Sequence, residues 1–450
     1  MASPQETARI LRRLLGAGMT TRAERLLARM RPADRGPVLS SLTPAEIRTV
    51  VDLLFEQRRA ASTLKELPPD LLPQVLDALG DERLAEILAR LELDDRVELA
   101  DHLDPERRER VVGLLPEGLR AELRKADVHP PASAGRVMTT RFVALHERTT
   151  AQEAIERLRG AGDDSEAILY LYVVDEKDHL RGVVPIRRLV AAPPERPCAE
   201  LMIRDPVSVR ASADQEVAAQ LVSRHNLLAI PVVDDEERLL GVITVDDVIE
   251  VIHEEATEDM YLLAGLSEDD RVFSPAHRAI RKRLPWMLLN LGTAFLAASV
   301  VGLFAHTLER LVALAFLMPV VAGMGGNTGI QSLTVITRGI ALGEIEFSSG
   351  LRAIGKEVAV GLVNGTVVGL LAGLAAYAWQ GSSVLGVAVL VAMVVTMGVA
   401  GIMGAAVPLV LKALRLDPAV ASGVIVTTFT DVFGFATFLG VGTLLLDHWA

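Results

Sequence analysis

The sequence predicts a multidomain membrane protein in which α-helical and α/β soluble domains precede five transmembrane helices. Charge is the first indication. The segment 284–450 contains seven acidic and six basic residues, whereas the segment 1–283 contains 51 acidic and 40 basic ones. Hydropathy is the second: five segments in the C-terminal part are predominantly apolar over about 20 residues, the length that crosses a bilayer. The chain therefore joins a charged soluble half to an apolar membrane half.

The soluble half is acidic, with a net charge of −11 (40 basic minus 51 acidic residues). An acidic surface attracts cations and argues against nucleic acid as a partner. Cys198 is the single cysteine, so no intrachain disulfide framework is expected. The N-terminus lacks an apolar core of signal-peptide length, and we therefore expect the soluble half to stay in the cytoplasm.

Residues 1–130 predict an N-terminal helical superhelix. Leucine recurs every twelve residues from Leu67 to Leu115, and each leucine precedes a helix-start pattern such as GDE or DPE. Proline and acidic residues are favoured in the first turn of a helix. A fixed short period is typical of units that bury their apolar faces only against their neighbours. We expect this domain to provide a docking or regulatory surface.

Residues 131–245 predict two β-α repeats. Each repeat has a front segment (VMTT at 137–140, LMIRDP at 201–206), a helix (150–159 or 215–225) and a strand (168–174 or 229–233). A second strand then opens with Gly-Val, at Gly182 or Gly241. This order resembles a tandem pair of CBS domains. The resemblance implies a cleft between the repeats of the kind that binds adenine nucleotides.

One nucleotide site at most is implied for this pair, for ATP or another adenine nucleotide. The ribose-contacting positions of the CBS family correspond to Thr244 and Asp247 in the second repeat. In the first repeat, Pro185 and Arg188 stand at the matching positions and depart from the pattern. The alternative, that Thr244 and Asp246 only cap the helix that begins there, stays open.

Residues 246–275 predict an acidic connecting helix. No Lys or Arg occurs from Leu239 to Asp270, and like charges three or four residues apart on a helix repel. A hard divalent cation with oxygen ligands would relieve the repulsion. The candidate ligands are Asp246, Asp247, Glu250, Glu254, Glu255, Glu258 and Asp259. A merely solvated acidic face is the alternative.

Residues 276–450 predict a membrane domain of five helices. The expected spans are 284–307, 311–337, 358–379, 384–411 and 419–446. Basic residues cluster before the first span, between the second and third, and between the fourth and fifth. By the positive-inside rule this pattern places the N-terminus in the cytoplasm and the C-terminus outside.

The second span contains the glycine-rich segment 318–332, MPVVAGMGGNTGIQS. Pro319 and the glycines predict a broken helix, which a bilayer tolerates only where it packs on protein or lines a wet cavity. Asn327 and Gln331, with Gly325 and Gly326, then form part of a pathway for a polar solute. The alternative is a glycine-rich contact between helices, which would leave the two amides unexplained.

The fifth span contains TTFTD, which ends at Asp431, far from either end of an apolar helix. An ionisable group at that depth is a functional-site hypothesis by default. Helical spacing puts hydroxyls and small residues on its face, namely Gly423, Thr427, Thr430 and Gly434, and Thr428 of the same motif is a further pathway candidate. A protonated Asp431 hydrogen-bonded to a threonine is the alternative. Glu357, near the cytoplasmic end of the third span, is expected to reach water.

The whole chain resembles the MgtE family of magnesium transporters and channels. The resemblance lies in the domain order together with PVVAGMGGNTGIQS in the second span and TTFTDVFGF in the fifth. It implies Mg²⁺-selective, channel-like import across the inner (plasma) membrane. It also implies a homodimer with one ion pathway along the two-fold axis and Mg²⁺ bound near Asp431.

The resemblance further implies that the acidic connector is a plug helix. Its carboxylates, with those of the CBS and N-terminal domains, would bind intracellular Mg²⁺ and hold the gate closed. The expected partners are Glu216 on the CBS side and Asp94 or Asp95 in the N-terminal domain. The pair His225-Asn226 breaks the acidic pattern expected on the CBS side.

Other functions remain as alternatives. A CBS-regulated channel or transporter could carry another divalent cation, such as Mn²⁺ or Co²⁺. An anion channel would need helix N-termini and buried basic groups, and the spans have no basic residue at depth. An enzyme is not expected, because no nucleophile–base pair and no His or Cys cluster occurs at membrane depth. A structural anchor would not need an aspartate inside its fifth span.

Overall fold

The computed structural model describes residues 3–56, 59–64, 67, 71–160, 170–266, 270, 276–345, 349–414, 416–420 and 422–449. The chain divides into two compact units, Met1–Ile252 and His253–Ala450, which are described separately. The predicted fold class is confirmed in its elements: a helical domain, two β-α repeats and five helices of transmembrane length are present among the described residues. The predicted boundaries of the individual domains stay predictions.

The first part of unit one is built from short helices. They are α1 (Pro4–Gly16), α2 (Thr20–Arg29), α3 (Pro32–Leu39), α4 (Pro44–Glu56), α5 (Ala60–Leu64), α6 (Leu72–Ala78), α7 (Asp81–Leu88), α8 (Leu93–Asp101), α9 (Pro105–Leu114) and α10 (Glu117–Ala126). The leucines of the twelve-residue repeat, from Leu67 to Leu115, are all buried. Asp104 accepts a hydrogen bond from the backbone of Arg107 and caps α9, as the sequence predicts. The helix start expected at 68–70 lies outside the described residues.

The second part of unit one contains two small sheets. The elements of the first repeat are β1 (Ala144–His146), α11 (Ala151–Gly160), β2 (Tyr170–Val174), β3 (Leu180–Pro185) and α12 (Ile186–Val190). Those of the second are α13 (Cys198–Leu201), β4 (Ile203–Arg204), β5 (Val209–Arg210), α14 (Gln215–His225), β6 (Ala229–Val233) and β7 (Leu239–Thr244), of which β4 joins the sheet of the first repeat. The sheets run β1-β2-β3-β4 and β5-β6-β7, each with one parallel pair at its start and antiparallel pairs after it. The strand start predicted at residue 168 lies outside the described residues.

The front segment of each repeat packs on the sheet of the other repeat. A Cβ on Gly241 would lie 2.6 Å from the sulfur of Met138, and a Cβ on Gly182 would lie 2.7 Å from the sulfur of Met202. Both distances are too short for a side chain, so glycine is required at the Gly-Val opening of each strand. Because each front segment packs on the other repeat's sheet, the two repeats form one compact domain.

Unit two holds the membrane helices. After α15 (Val245–Leu263), which crosses from unit one into unit two, come α16 (Ala276–Leu303), α17 (Ala305–Arg310), α18 (Ala313–Ala341), α19 (Gly350–Gln380), α20 (Ser383–Ala413) and α21 (Ser422–Trp449). Among the described residues, α16, α18, α19, α20 and α21 are long and apolar enough to cross a membrane. They correspond to the five predicted spans, and α20 is the most buried.

The predicted break in the second span is wrong. The α18 helix runs continuously from Ala313 to Ala341, with Pro319 inside its second turn. Pro319 has no N–H to donate to the carbonyl of Ala315 four residues earlier. Membrane helices tolerate such a proline because neighbouring groups can satisfy the freed carbonyl. Gly325 and Gly329 serve close packing instead, which is the alternative that the sequence left open.

A second glycine series joins α19 to α20. Gly361, Gly365, Gly369 and Gly373 recur every four residues on one face of α19. A Cβ on each of them would lie 2.3–3.0 Å from a backbone carbonyl oxygen of α20. Small residues at this spacing let two helix backbones approach closely within a membrane.

Candidate ion pathway and gate

Asp431 lies nine residues after the start of the fifth span at Ser422, about 13.5 Å along the helix. The preceding residue, Thr430, is fully buried. It packs on the second span, since a Cβ on Gly325 or Gly329 would lie 3.6 or 3.5 Å from its side chain. Asp431 therefore stands half-buried at membrane depth, beside the tight contact between α18 and α21.

The threonines around Asp431 use their protons within their own helix. Their hydroxyls donate to backbone carbonyls, from Thr427 to Gly423 (2.9 Å), from Thr428 to Val424 (2.6 Å) and from Thr430 to Thr427 (3.0 Å). In the part of the chain that the structure describes, no side chain donates a hydrogen bond to Asp431. The arrangement that would hold a protonated Asp431 against a threonine is thus not observed. A carboxylate with free lone pairs, next to hydroxyl oxygens, can accept hydrogen bonds from the water molecules that surround a hydrated cation.

The end of the connector packs on the start of the fifth span. A Cβ on Gly423 would lie 2.8 Å from the carbonyl oxygen of Leu263, the last residue of α15. The Leu263 side chain also joins an apolar cluster that includes Leu333 of α18, Val407 of α20 and Val426 of α21. The C-terminal turn of the connector is therefore seated against the spans that surround Asp431.

Asn327 and Gln331 lie in a different place from Asp431. They line a cavity of about 350 Å³ with Asn364 of α19 and Met397 of α20, and its lining includes no described residue of α21. Two residues correspond to about 200° around a helix, so Asn327 faces away from the Gly325–Gly329 contact with α21. The sequence placed the two amides in a pathway for a polar solute, which stays a prediction, and it did not indicate Asn364 as their neighbour. Gly326 has open space beside it.

The predicted acidic ligands lie along one continuous helix. The carboxylates of Asp246, Glu250 and Glu254 are exposed, whereas those of Asp247, Glu255, Glu258 and Asp259 are partly covered. Within the described residues, no group of three or more His, Cys, Asp or Glu side chains is arranged to hold a metal ion. The connector thus carries dispersed acidic groups, and the described part of the single chain contains no ready-made cage for a cation.

Asp417 is a neighbour of the connector that the sequence analysis did not indicate. It lies in the loop between the fourth and fifth spans and accepts a hydrogen bond from the backbone of Ala419 (2.7 Å). Burial raises the pKa of the Asp259 carboxyl to about 6, and the negative charges of Asp417 and Glu255 contribute to the shift. Three carboxyl groups therefore repel one another where the connector meets the membrane domain. Only the fold could reveal this pair, because 158 residues separate Asp259 from Asp417.

The remaining predicted sites lie in unit one. Thr244 precedes α15, its hydroxyl donates to Asp247 (2.6 Å), and its backbone N–H donates to the same carboxylate (3.2 Å). This is the hydrogen bonding of a helix start, as in the capping alternative. Glu216 lies in the first turn of α14, and Asp94 and Asp95 lie in the first turn of α8.

At two polar positions the structure adds to the sequence or corrects it. Asn226 takes the left-handed conformation (φ 49°) that ends α14, which explains why an amide stands where an acidic residue was expected. Glu357 is only 5 % exposed, so the expectation that it reaches water is wrong. Its carboxylate accepts a hydrogen bond from Ser332 of α18. Helices α18 and α20 pack against α19 at this level and cover the side chain.

Comparison with known proteins covers nearly the whole chain. Family models match residues 318–441 (MgtE, divalent cation transporter), 30–132 (MgtE intracellular N domain), and 134–195 and 198–254 (CBS domain). The magnesium transporter MgtE of Thermus thermophilus is 37% identical over 97% of this chain and 98% of its own length. That of Bacillus subtilis is 32% identical over 92% of this chain and 94% of its own length.

Solved structures agree for the soluble half. A structure titled as the cytosolic domain of the Mg²⁺ channel MgtE in complex with ATP is 36% identical, with a TM-score of 0.52. It covers 54% of this chain and 99% of that one. The soluble part of a magnesium transporter is 27% identical, with a TM-score of 0.51, and covers 56% of this chain and all of that one. The motifs, the five spans and these matches along the full length all agree, and the chain belongs to the MgtE family.

Proposed function

We propose that this protein carries Mg²⁺ into the cell through its membrane domain in a channel-like manner and closes when intracellular Mg²⁺ binds its acidic cytosolic segments. The observation that carries the proposal is Asp431, a carboxylate half-buried at membrane depth beside the Gly325 and Gly329 contact with Thr430. The relatives named magnesium transporters support the choice of ion.

The chemistry of Mg²⁺ fits a site with few protein ligands. Mg²⁺ dehydrates reluctantly and keeps several waters, so one or two carboxylates are sufficient. We propose a homodimer in which two copies of Asp431 face one pathway, with Thr427, Thr428, Thr430 and Gly423 around it. The N-terminus would be cytoplasmic and the C-terminus outside the cell membrane.

The main competing functions differ in the ion. Transport of Mn²⁺ or Co²⁺ would use the same carboxylate, because oxygen ligands and coordinated water serve these ions as well. Transport of an anion is disfavoured, because no Lys or Arg among the described residues of the five spans is buried. Asp431 and Glu357 would repel an anion.

The gate that we propose is the C-terminal part of the connector. Leu263 is seated on Gly423 at the start of the fifth span, and Asp259 lies near Asp417. A divalent cation bound among these carboxylates would relieve their repulsion and favour this seated arrangement. A ligand that binds one arrangement better shifts the population toward it, so Mg²⁺ would close its own pathway.

Flux into proteoliposomes tests the proposal. We expect Mg²⁺ uptake when the cytoplasmic face is free of Mg²⁺, and suppression of that uptake as Mg²⁺ is added to this face. Uptake of chloride or phosphate without divalent cation would overturn the proposal. If Mg²⁺ uptake does not change with the cytoplasmic Mg²⁺ concentration, the proposed transport function stands and the proposed gate is rejected.

The gate should depend on pH through Asp259. In the seated connector Asp259 has a pKa of about 6 and is therefore protonated below that pH. An unperturbed aspartate, with a pKa of 3.8, would still be ionised between about pH 4 and 6. Acid therefore favours seating between about pH 4 and 6, and this contribution is lost as the pH rises through 6. We expect Mg²⁺-free flux, as a fraction of the maximum, to be lower at pH 5.5 than at pH 7.5.

The variant Asp259→Asn isolates this effect, because asparagine resembles the protonated carboxyl. Its flux should be low at both pH values and should respond less to cytoplasmic Mg²⁺. Glu344→Gln, which removes an exposed carboxylate beyond the end of α18, is the matched control and should behave as wild type. A pH dependence that persists in Asp259→Asn would assign the titration to another group.

We also propose a nucleotide site at Thr244 and Asp247, supported by the relative that was solved with ATP. A ribose hydroxyl would take over the hydrogen bonds that these two side chains make with each other. Thr244→Val should weaken ATP binding in calorimetry by about two- to tenfold, the effect of one hydrogen bond of about 0.5–1.5 kcal/mol. Ser212→Ala, at an exposed loop position, should leave affinity unchanged. If Thr244→Val binds ATP with the wild-type affinity, the nucleotide site is rejected and the two residues serve only to cap the helix.

A further inference from the structure

The third span contains a second buried carboxylate, which the pathway around Asp431 does not use. Glu357 lies seven residues after the start of α19 at Gly350. Its side chain is 6% exposed, and its Oε2 accepts a hydrogen bond from the Oγ of Ser332 in α18 at 2.7 Å. Its Oε1 lies 2.9 Å from the ammonium of Lys356, whose own side chain is 63% exposed. One oxygen thus points into the helix bundle and the other toward a cation near the surface.

The surroundings of this carboxylate are tightly packed backbone. A Cβ on Gly401 of α20 would lie 2.5 Å from the carbonyl oxygen of Glu357. A Cβ on Gly404, one turn later, would lie 2.6 Å from the carbonyl oxygen of Gly329 and 2.7 Å from the Cβ of Ser332. Helices α18 and α19 therefore both rest directly on α20 at this level. The bond between Ser332 and Glu357 joins them to each other.

Ser332 also shares a helical face with the residues that support Asp431. Gly325, Gly329 and Ser332 follow one another at intervals of four and three residues, and all three are buried. The two glycines pack on Thr430, the residue before Asp431. A rotation or a shift of α18 at Ser332 would therefore move the surface on which Thr430 rests.

We infer that Glu357 is a positioning residue for ion transport: its bond to Ser332 holds α18 at the rotation and height that place Thr430, and with it Asp431, at the pathway. The inference rests on the proposed transport function. A carboxylate is suited to this role because hydrogen bonds to an ionised acceptor are stronger than neutral ones. Ser332 is buried, so the loss of its acceptor leaves a polar group without a partner inside the membrane domain.

Four single variants and the double variant of Glu357→Ala with Ser332→Ala test the inference in proteoliposomes. Glu357→Ala and Ser332→Ala remove the bond from either side, and Glu357→Gln retains an acceptor oxygen without the charge. Thr334→Ala is the matched control, because the Thr334 hydroxyl is exposed and bonds only to the carbonyl of Ile330 in its own helix. The readouts are maximal Mg²⁺ flux, the ratio of Mg²⁺ to Mn²⁺ flux, and the thermal midpoint of the purified protein.

We expect Glu357→Ala and Ser332→Ala to lose about tenfold in Mg²⁺ flux, equivalent to about 1.4 kcal/mol of barrier, and to change the Mg²⁺ to Mn²⁺ ratio. The double variant should be no worse than either single variant, and Glu357→Gln should recover most of the flux. An unchanged cation ratio with a lowered thermal midpoint would overturn the inference and leave a structural role only. If Glu357→Ala does not fold, Ser332→Ala, which removes a single hydroxyl, decides the question by the same readouts. Absence of Mg²⁺ flux in the wild type would reject the proposed function itself.

Discussion

Replacement of Asp431 by asparagine is expected to abolish Mg²⁺ flux, by about 100-fold or more, equivalent to about 2.7 kcal/mol of barrier. Asparagine has nearly the same shape and removes only the charge. No Lys or Arg among the described residues of the spans is buried to pair with this carboxylate, and no side chain there donates to it. Its negative charge is therefore free to attract a hydrated divalent cation. Radiotracer or fluorescent-dye uptake into proteoliposomes measures the effect.

Asp447→Asn is the matched control for Asp431→Asn. Asp447 lies on the same helix, near its end, and pairs with Arg310. We expect the control to conduct Mg²⁺ at the wild-type rate and to insert into the membrane equally well. If Asp431→Asn conducts Mg²⁺ at the wild-type rate, Asp431 does not belong to the pathway. The cavity lined by Asn327, Gln331 and Asn364 would then become the principal candidate.

Replacement of Gly423 by alanine is expected to release the pathway from inhibition by cytoplasmic Mg²⁺. The new Cβ would lie 2.8 Å from the carbonyl oxygen of Leu263, so the end of the connector must move. Overpacking of this kind costs about 1–3 kcal/mol, which raises the inhibitory Mg²⁺ concentration about 5- to 150-fold. Flux measured against cytoplasmic Mg²⁺ gives the shift directly.

The control for Gly423→Ala is Gly355→Ala, in the first turns of α19. A Cβ at Gly355 meets no atom within 4 Å, so the same chemical change should leave inhibition as in the wild type. Maximal flux of Gly355→Ala without cytoplasmic Mg²⁺ should also match that of the wild type. An unshifted inhibition curve for Gly423→Ala would mean that the contact between Leu263 and Gly423 does not hold the gate.

The elements of the soluble half could be predicted because their signals are local. The twelve-residue leucine repeat, the acidic helix starts and the alternation of strands and helices each depend on neighbours within one or two turns. The helix 215–225 and the strand 229–233 agree with α14 and β6 to the residue. The contact between Met138 and Gly241, by contrast, joins residues 103 positions apart in the chain.

The second span was misjudged for a physical reason. Glycine and proline weaken a helix in water, but close packing inside a membrane favours glycine wherever two backbones meet. Gly325 and Gly329 are needed because Thr396, Thr430 and Val426 fill the space beside them. Sequence alone does not indicate which of these two roles a glycine has, since the neighbour that decides it lies on another helix.

The sequence by itself determined the family, the five spans, the acidic connector and Asp431 as the ionisable group at depth. Composition and motif order are sufficient for these, because an apolar span or a charged residue within it is recognisable without its neighbours. Only the tertiary structure decided which polar groups lie together: Asp259 with Asp417, Asn327 with Asn364, and Glu357 with Ser332. Burial and repulsion between groups far apart in the chain arise only when the helices pack, so they leave no local pattern to be read.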